Sequence, residues 1–286
     1  MYVSFRVRRR ACWAVGVALS VCVLLGVVYR AIAPVSGASE SGVALPIVMY
    51  HSVLKSADNR YEITPDLLES DLQYLTAHGY TTVTVQDLLD YVHNGTSLPD
   101  RPVMLTFDDG HYNNYTYAYP LMKRYGCRMV LSPIGIQSEI YSQTGEANPN
   151  YGYVRWEDLR EMAQSGVVEI QNHSYNLHTY NASVHGSRPM AGETDEAYRT
   201  RLRTDLATAQ TNLETHVGVT PTAFVYPFGA TSDRALPVLR ELGFSATLIC
   251  ESKTNVITRD PACLYGLGRF IRTQDTASAD FFARLE

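Results

Sequence analysis

One short stretch limits the folds open to this chain more than any other. Residues 102–107, Pro-Val-Met-Leu-Thr-Phe, are almost wholly apolar and run straight into Asp108-Asp109-Gly110. A brief apolar run bounded by turn residues suits an interior parallel strand covered on both faces. Such strands deliver catalytic side chains at their carboxyl ends. Two neighbouring aspartates cannot both be cheaply buried as anions. A division of labour is one solution, with one carboxylate binding a metal and the other taking protons. The plainer alternative is an ordinary Asp-Asp-Gly turn.

From residue 45 onward, strand-like and helix-like stretches alternate. The pattern predicts strands over 46–50, 81–85, 102–107, 127–132, 167–171, 222–226, 244–249 and 267–271. Helices are predicted over 64–78, 86–93, 113–125, 156–165, 196–217 and 232–242. The first of these is well punctuated: Thr64 as N-cap, Pro65 at the first position and Gly79 just past the end. Its Leu68, Leu72 and Leu75 fall on one face. Alternation of this kind implies an α/β domain with a parallel sheet and helices outside it. Closure as a distorted (β/α) barrel of seven to eight parallel strands is the natural form, and a doubly wound open sheet is the alternative.

Two further strand ends carry polar chemistry. Val167-Val168-Glu169-Ile170-Gln171-Asn172 leads into His173 and, five residues on, His178. That spacing misses the i, i+4 repeat of a helix, so the pair straddles a loop or a helix start. Neutral imidazole is a common ligand for zinc and similar ions, and two histidines with one carboxylate leave positions open for water and substrate. Ala223-Phe224-Val225-Tyr226 runs into Pro227-Phe228-Gly229. Pro227 has no N–H, so Phe228 is the first residue after it able to offer a backbone donor to an oxyanion. Taken alone, that block reads as a simple Pro-x-Gly turn.

The order of these blocks resembles the polysaccharide deacetylase family of carbohydrate esterases, over roughly residues 45–272. The resemblance implies that Asp108 is the catalytic base and that Asp109, His173 and His178 hold a metal ion. The wide histidine spacing, and Ile47-Val48-Met49-Tyr50-His51, are more similar to the branch that deacetylates biofilm poly-N-acetylglucosamine. In that branch a histidine of the Met-Tyr-His block belongs to the active site, which makes His51 the matching residue. The chain departs from the family pattern where an early arginine of the third block is expected, since it reads Pro221-Thr222-Ala223 there. It also has no clear Asp-x-x-Asp-Trp block and no late Leu-x-x-His block, the usual source of the general acid. His51 is left as the candidate acid, and Arg269 as a candidate partner for Asp108.

The same resemblance implies metal-assisted hydrolysis of N-acetyl groups on a polymer of N-acetylglucosamine. One divalent ion is expected, zinc first, with cobalt, nickel or iron as alternatives. Poly-N-acetylglucosamine, peptidoglycan and chitin share the reacting group. A member of the family that binds glycan without turnover, or a metal-dependent amide or ester hydrolase of another kind, is the competing reading.

The remaining sequence sets the context. The 286 residues, 45% of them hydrophobic, suffice for one sizeable core, and a formal net charge of −5 argues against a nucleic-acid partner. Residues 1–10 form a basic tail and 11–29 an uncharged run. At 1.5 Å per residue that run spans about 28 Å, close to a hydrocarbon core. Arginines on its amino side predict a cytoplasmic N-terminus, with residues 45–286 outside as one catalytic domain beyond a linker at 30–44. A single-pass anchor at the cell membrane is the expected location, with a cleaved signal peptide and secretion as the competitor. Cys250 and Cys263 are free to pair in such a setting. Among the twenty tyrosines, Tyr115, Tyr119 and Tyr125 are expected to pack a helix, whereas Tyr151 and Tyr153, with Trp156, are candidates for a sugar groove. His111 reads as a rim residue rather than a ligand, while His78, His93 and His216 read as structural or surface residues.

Overall fold

A computed structural model describes residues 42–181 and 183–285. The basic tail, the predicted membrane segment and most of the predicted linker lie outside the described residues.

The strands are β1 Val43–Leu45, β2 Ile47–Tyr50, β3 Ser52–Val53, β4 Glu62–Ile63, β5 Thr81–Thr82, β6 Pro102–Asp109, β7 Met129–Pro133, β8 Val168–Ile170, β9 Ala223–Val225, β10 Ala246–Leu248, β11 Asn255–Ile257 and β12 Phe270–Ile271. The α-helices are α1 Pro65–Ala77, α2 Val85–Asn94, α3 Tyr119–Tyr125, α4 Gly135–Thr144, α5 Trp156–Gln164, α6 Asp195–Val217, α7 Ala235–Glu241 and α8 Ser278–Phe282. Among the described residues no helix is long and apolar enough to cross a membrane.

Seven of these strands pair in parallel around a ring. One path runs β12-β2-β6-β7-β8, and β9 pairs with β10. Isolated parallel bridges join the two: Asn172 to Phe224 after β8, and Leu248 to Leu267 just ahead of β12. The ring therefore closes, which separates a barrel from an open sheet. The predicted strand at 81–85 is not part of it. Only Thr81 and Thr82 pair, and only with the start of β6. Asp87 accepts a hydrogen bond from the Thr84 N–H at 2.7 Å, so helix α2 begins where a longer strand was expected.

Strand pleating sorts the β6 side chains between two cores. Leu105 and Phe107 join a cluster with Leu68, Leu72, Met122 and Leu159 from the outer helices. Met104 joins Ile47, Val130, Val225 and Leu248 in the other cluster, with Leu88 of α2 beside them. By the same period of two, Thr106 and Asp108 share the face of Met104. The conserved direction of all seven strands then brings their carboxyl ends to one mouth.

Several expectations change locally. The helix predicted over 113–125 is two pieces, a π-helical turn at Asn114–Ala118 followed by α3. Pro120, with no N–H to donate, lies at the junction. Helix α4 and the antiparallel pair β1–β11 were not predicted. Cys250 and Cys263 are both free thiols, so that pairing is not formed. Trp156 is a core residue, 7% exposed and stacked on His216 at 5.3 Å, and not part of a groove. Tyr115, Tyr119 and Tyr125 pack on the same core, as expected.

Candidate active site

The chemistry gathers where β2, β6, β8 and β9 end. A cavity of about 490 Å³ is lined there by His51, Asp108, Asp109, His173, His178 and Phe228, among others. The three sequence blocks and the Met-Tyr-His block thus meet at one mouth. Three non-glycine residues among those described have positive φ: Asp109 (68°), Ser174 (72°) and Phe228 (57°). Each belongs to one of the three blocks. Left-handed backbone at such residues is unfavourable and is held only by its surroundings, and strain of this kind concentrates at functional sites.

Asp108 is buried and faces a guanidinium. Arg269 Nη1 lies 2.7 Å from its Oδ1 and Nη2 lies 2.8 Å from its Oδ2, a bidentate pair. Arg269 is itself fully buried and anchored by the Ile249 carbonyl at 3.0 Å and the Thr106 hydroxyl at 3.2 Å. Burial works to raise the Asp108 pKa, but Arg269, together with His173 and His51, outweighs it and holds the carboxyl below the ordinary range. The partner of Asp108 thus comes from the approach to β12 and not from the third block. His51 Nε2 lies 4.0 Å from Asp108 Oδ2. Burial lowers the His51 pKa in spite of the nearby aspartates, leaving the imidazole neutral at neutral pH.

Asp109 turns away from its neighbour. Its positive φ points the carboxylate at His173 Nε2, 3.4 Å from Oδ1, and at His178 Nε2, 3.2 Å from the same oxygen. Donor atoms of these three residues all lie within 4.8 Å of one another. His173 Nδ1 is 2.8 Å from the Val225 carbonyl, which fixes the ring and turns Nε2 toward Asp109. Asp109 Oδ1 is buried with no hydrogen-bond partner. An orphaned carboxylate oxygen among two imidazole nitrogens fits a divalent cation, and these residues would hold it. Burial, and then the neighbouring His173, bring the His178 pKa down to about 4, so that ring is neutral over the physiological range, the form able to ligate a metal. Burial works to raise the Asp109 pKa, but the neighbouring imidazoles of His111, His173 and His51 together outweigh it and hold the carboxyl well below the usual range.

The surrounding loops explain these placements. Asp205 of α6 accepts from the N–H groups of Tyr175 and Asn176, each at 2.8 Å, which moors the loop between the two histidines. The Phe228 ring packs on His178 with centroids 4.2 Å apart. Beneath it, Gly186 comes so close that a Cβ there would meet the Pro227 carbonyl at 2.8 Å.

Sequence reasoning missed part of the rim. His111 Nε2 lies 3.4 Å from Asp109 Oδ2, closer to the centre than a rim residue, although it is not one of the three clustered donors. Asn59, Arg60, Tyr61 and Glu62 also line the cavity, with the Tyr61 ring 5.0 Å from that of His51, and Cys250 lies near Arg269. No motif marked these positions; Asn59, Arg60 and Tyr61 lead into β4, which begins at Glu62 and pairs with β3 just after His51. Of the proposed groove aromatics, Tyr153 lies 4.9 Å from the His111 ring, and Tyr151 is 57% exposed and bonded to Glu146.

Comparison with known proteins agrees with this arrangement. The sequence profile of the polysaccharide deacetylase family matches residues 95–247. A poly-beta-1,6-N-acetyl-D-glucosamine N-deacetylase of Escherichia coli K12 is 27% identical over 225 residues, covering 72% of this chain and 34% of that protein. This chain therefore spans about a third of that relative's length. The enzyme of the same description from Staphylococcus aureus MSSA476 is 26% identical over 207 residues, 72% of this chain and 67% of its own. A de-N-acetylase structure from Aggregatibacter actinomycetemcomitans superposes with a TM-score of 0.73 at 26% identity, over 84% of this chain and 99% of that one. IcaB from Ammonifex degensii gives 0.69 at 26% identity, over 86% and 98%. The chain belongs to the polysaccharide deacetylase family.

Proposed function

We propose that this polysaccharide deacetylase hydrolyses N-acetyl groups of poly-N-acetylglucosamine, releasing acetate and leaving glucosamine units in the polymer. The observation that carries the reading is the convergence, on one cavity, of an Arg269-paired Asp108, the Asp109–His173–His178 donor set and His51. The names of the Escherichia and Staphylococcus relatives support the choice of polymer.

An amide is a poor electrophile and water a poor nucleophile, so the site must improve both. Asp109, His173 and His178 would hold a divalent cation, which when bound would supply Lewis acidity toward the acetamide oxygen and lower the pKa of water to about 7. We propose zinc, with cobalt, nickel or iron admitted by the same donors. Asp108, kept ionised by Arg269, takes a proton from the attacking water as its oxygen bonds to the acetyl carbon. The Phe228 N–H, just past Pro227, is the proposed backbone donor to the oxyanion. The lowered pKa of His51 favours its neutral ring, which is too weak an acid to protonate the amine unaided. Its position beside Asp108 suits it to receive the proton taken there and pass it to the amine nitrogen as the C–N bond breaks. The atoms balance as one water consumed, one acetate and one amine formed.

With residues 11–29 read as an anchor, the domain would meet this polymer outside the cytoplasmic membrane; protease protection of intact cells tests that location. The chemical test is acetate release from poly-N-acetylglucosamine by the metal-loaded protein. Asp108→Asn should keep metal and lose about 10²- to 10⁴-fold in rate. His173→Ala and Asp109→Ala should lose metal as well. Full activity in Asp108→Asn would remove the base assignment, and no release from any acetylated glycan would leave a binding protein.

A further inference from the structure

Strand pairing in β2 ends at Tyr50, matched to Phe107, and pairing resumes in β3 at Ser52, matched to Glu62, so His51 lies at the break between two ladders. Yet the His51 imidazole must stay beside Asp108 for the proton transfer proposed above. A side chain adds a restraint at that break. Asn114 Nδ2 donates to the His51 carbonyl at 2.7 Å and to Asn113 Oδ1 at 3.2 Å. Asn113 Oδ1 also accepts from the Val53 N–H at 2.9 Å, and its Nδ2 lies 3.2 Å from the Pro149 carbonyl. Both asparagines are buried, at 2% and 0% exposure.

Consecutive residues of a regular α-helix point about 100° apart, which makes it unusual for both to serve one strand end. Here Asn114 opens the π-helical turn at Asn114–Ala118, a widened turn of the kind found at functional sites. It follows the Asp108-Asp109-Gly110 turn by four residues. The same short segment thus carries the proposed base and grips the backbone of the proposed acid.

We propose that Asn114, braced by Asn113, is a positioning residue that holds His51 in reach of Asp108. The assignment rests on the reading of His51 as the proton donor to the amine. Asn114 touches none of the three clustered donors, so its loss acts on proton transfer and not on metal binding.

The test measures turnover, metal affinity and the chemical reactivity of His51 in the full chain. Asn114→Ala, and Asn114→Leu of similar size but with no donor, should lower kcat by about 10- to 100-fold, the cost of a small misplacement at a reacting group. KM and metal affinity should hold. In a His51→Ala background, Asn114→Ala should cost nothing further. Carbethoxylation by diethyl pyrocarbonate, read by peptide mass spectrometry, should speed up at His51 in the variants and stay constant at His78. Should Asn114→Ala not fold, the near-isosteric Asn114→Leu carries the comparison. An additive loss in the His51→Ala background, or unchanged turnover and unchanged His51 labelling, overturns the proposal. Should the wild type release no acetate, the deacetylase reading falls and labelling alone decides: faster reaction confined to His51 keeps the brace, and equal rates remove it.

Discussion

Asp108 and Arg269 show how one pair can serve both folding and chemistry. Both side chains are withdrawn from water, and such a pair is stable only because its hydrogen bonds are complete. Removing the cation leaves a buried, uncompensated carboxylate. Arg269→Met should therefore destabilise the fold by about 3–5 kcal/mol in urea titration. Arg269→Lys keeps a charge but loses the two-pronged geometry. It should move the acid limb of kcat/KM to higher pH, because a weaker partner lets the Asp108 pKa rise toward its ordinary value. An unmoved limb would mean that Asp108 is not the group reported. Stability follows the same sign. A carboxyl whose folded pKa is depressed adds stability above its unfolded pKa of about 3.9, and loses it as pH falls through the lower folded value.

At the level of elements, the site depends on loops tied to rigid neighbours. Helix α6, capped by Thr194 through the Ala197 N–H at 3.2 Å, offers Asp205 to the loop that carries His178. Asp205→Asn weakens that mooring, and metal affinity measured by calorimetry should fall about tenfold, the lower end for partners that orient a ligand. Gly186, at φ 56°, lies against the Pro227 carbonyl. Gly186→Ala should displace the Pro227–Gly229 turn and cut kcat by about tenfold or more. Unchanged kcat would separate the Phe228 N–H from catalysis. Helix α1 was legible in the sequence because its cap, proline and leucine stripe are local signals. Helix α4 was not, because Gly135 at its start and the mixed Ile-Gln-Ser-Glu-Ile that follows show no clear apolar face; it is fixed instead by bonds such as Gly135 N–H to the Ser174 carbonyl, at 3.0 Å.

For the whole molecule, closure of the ring is what makes the site. The bridge from Leu248 to Leu267 leads directly to Arg269 and β12, so the last barrel strand delivers the partner of Asp108 on the first long one. A cation bound at the mouth ties β6 to the loop after β8. At a free concentration 100 times its Kd it should add about 2.7 kcal/mol. For a domain of this size that is a rise in Tm of roughly 5–10 °C by calorimetry. His178→Ala should abolish the rise. The sequence by itself determined the alternation of strands and helices, the position of α1 and α6, and the three blocks that end strands in carboxylate, imidazole and a proline turn. These are signals of a few adjacent residues, set by pleat, cap and turn chemistry. Only the tertiary structure decided that Arg269, some 160 residues away, completes Asp108, that Trp156 is core, that Cys250 and Cys263 stay apart, and that Asn114 reaches His51. Each of those depends on which distant segments the closed ring brings side by side, and no local pattern encodes that distance.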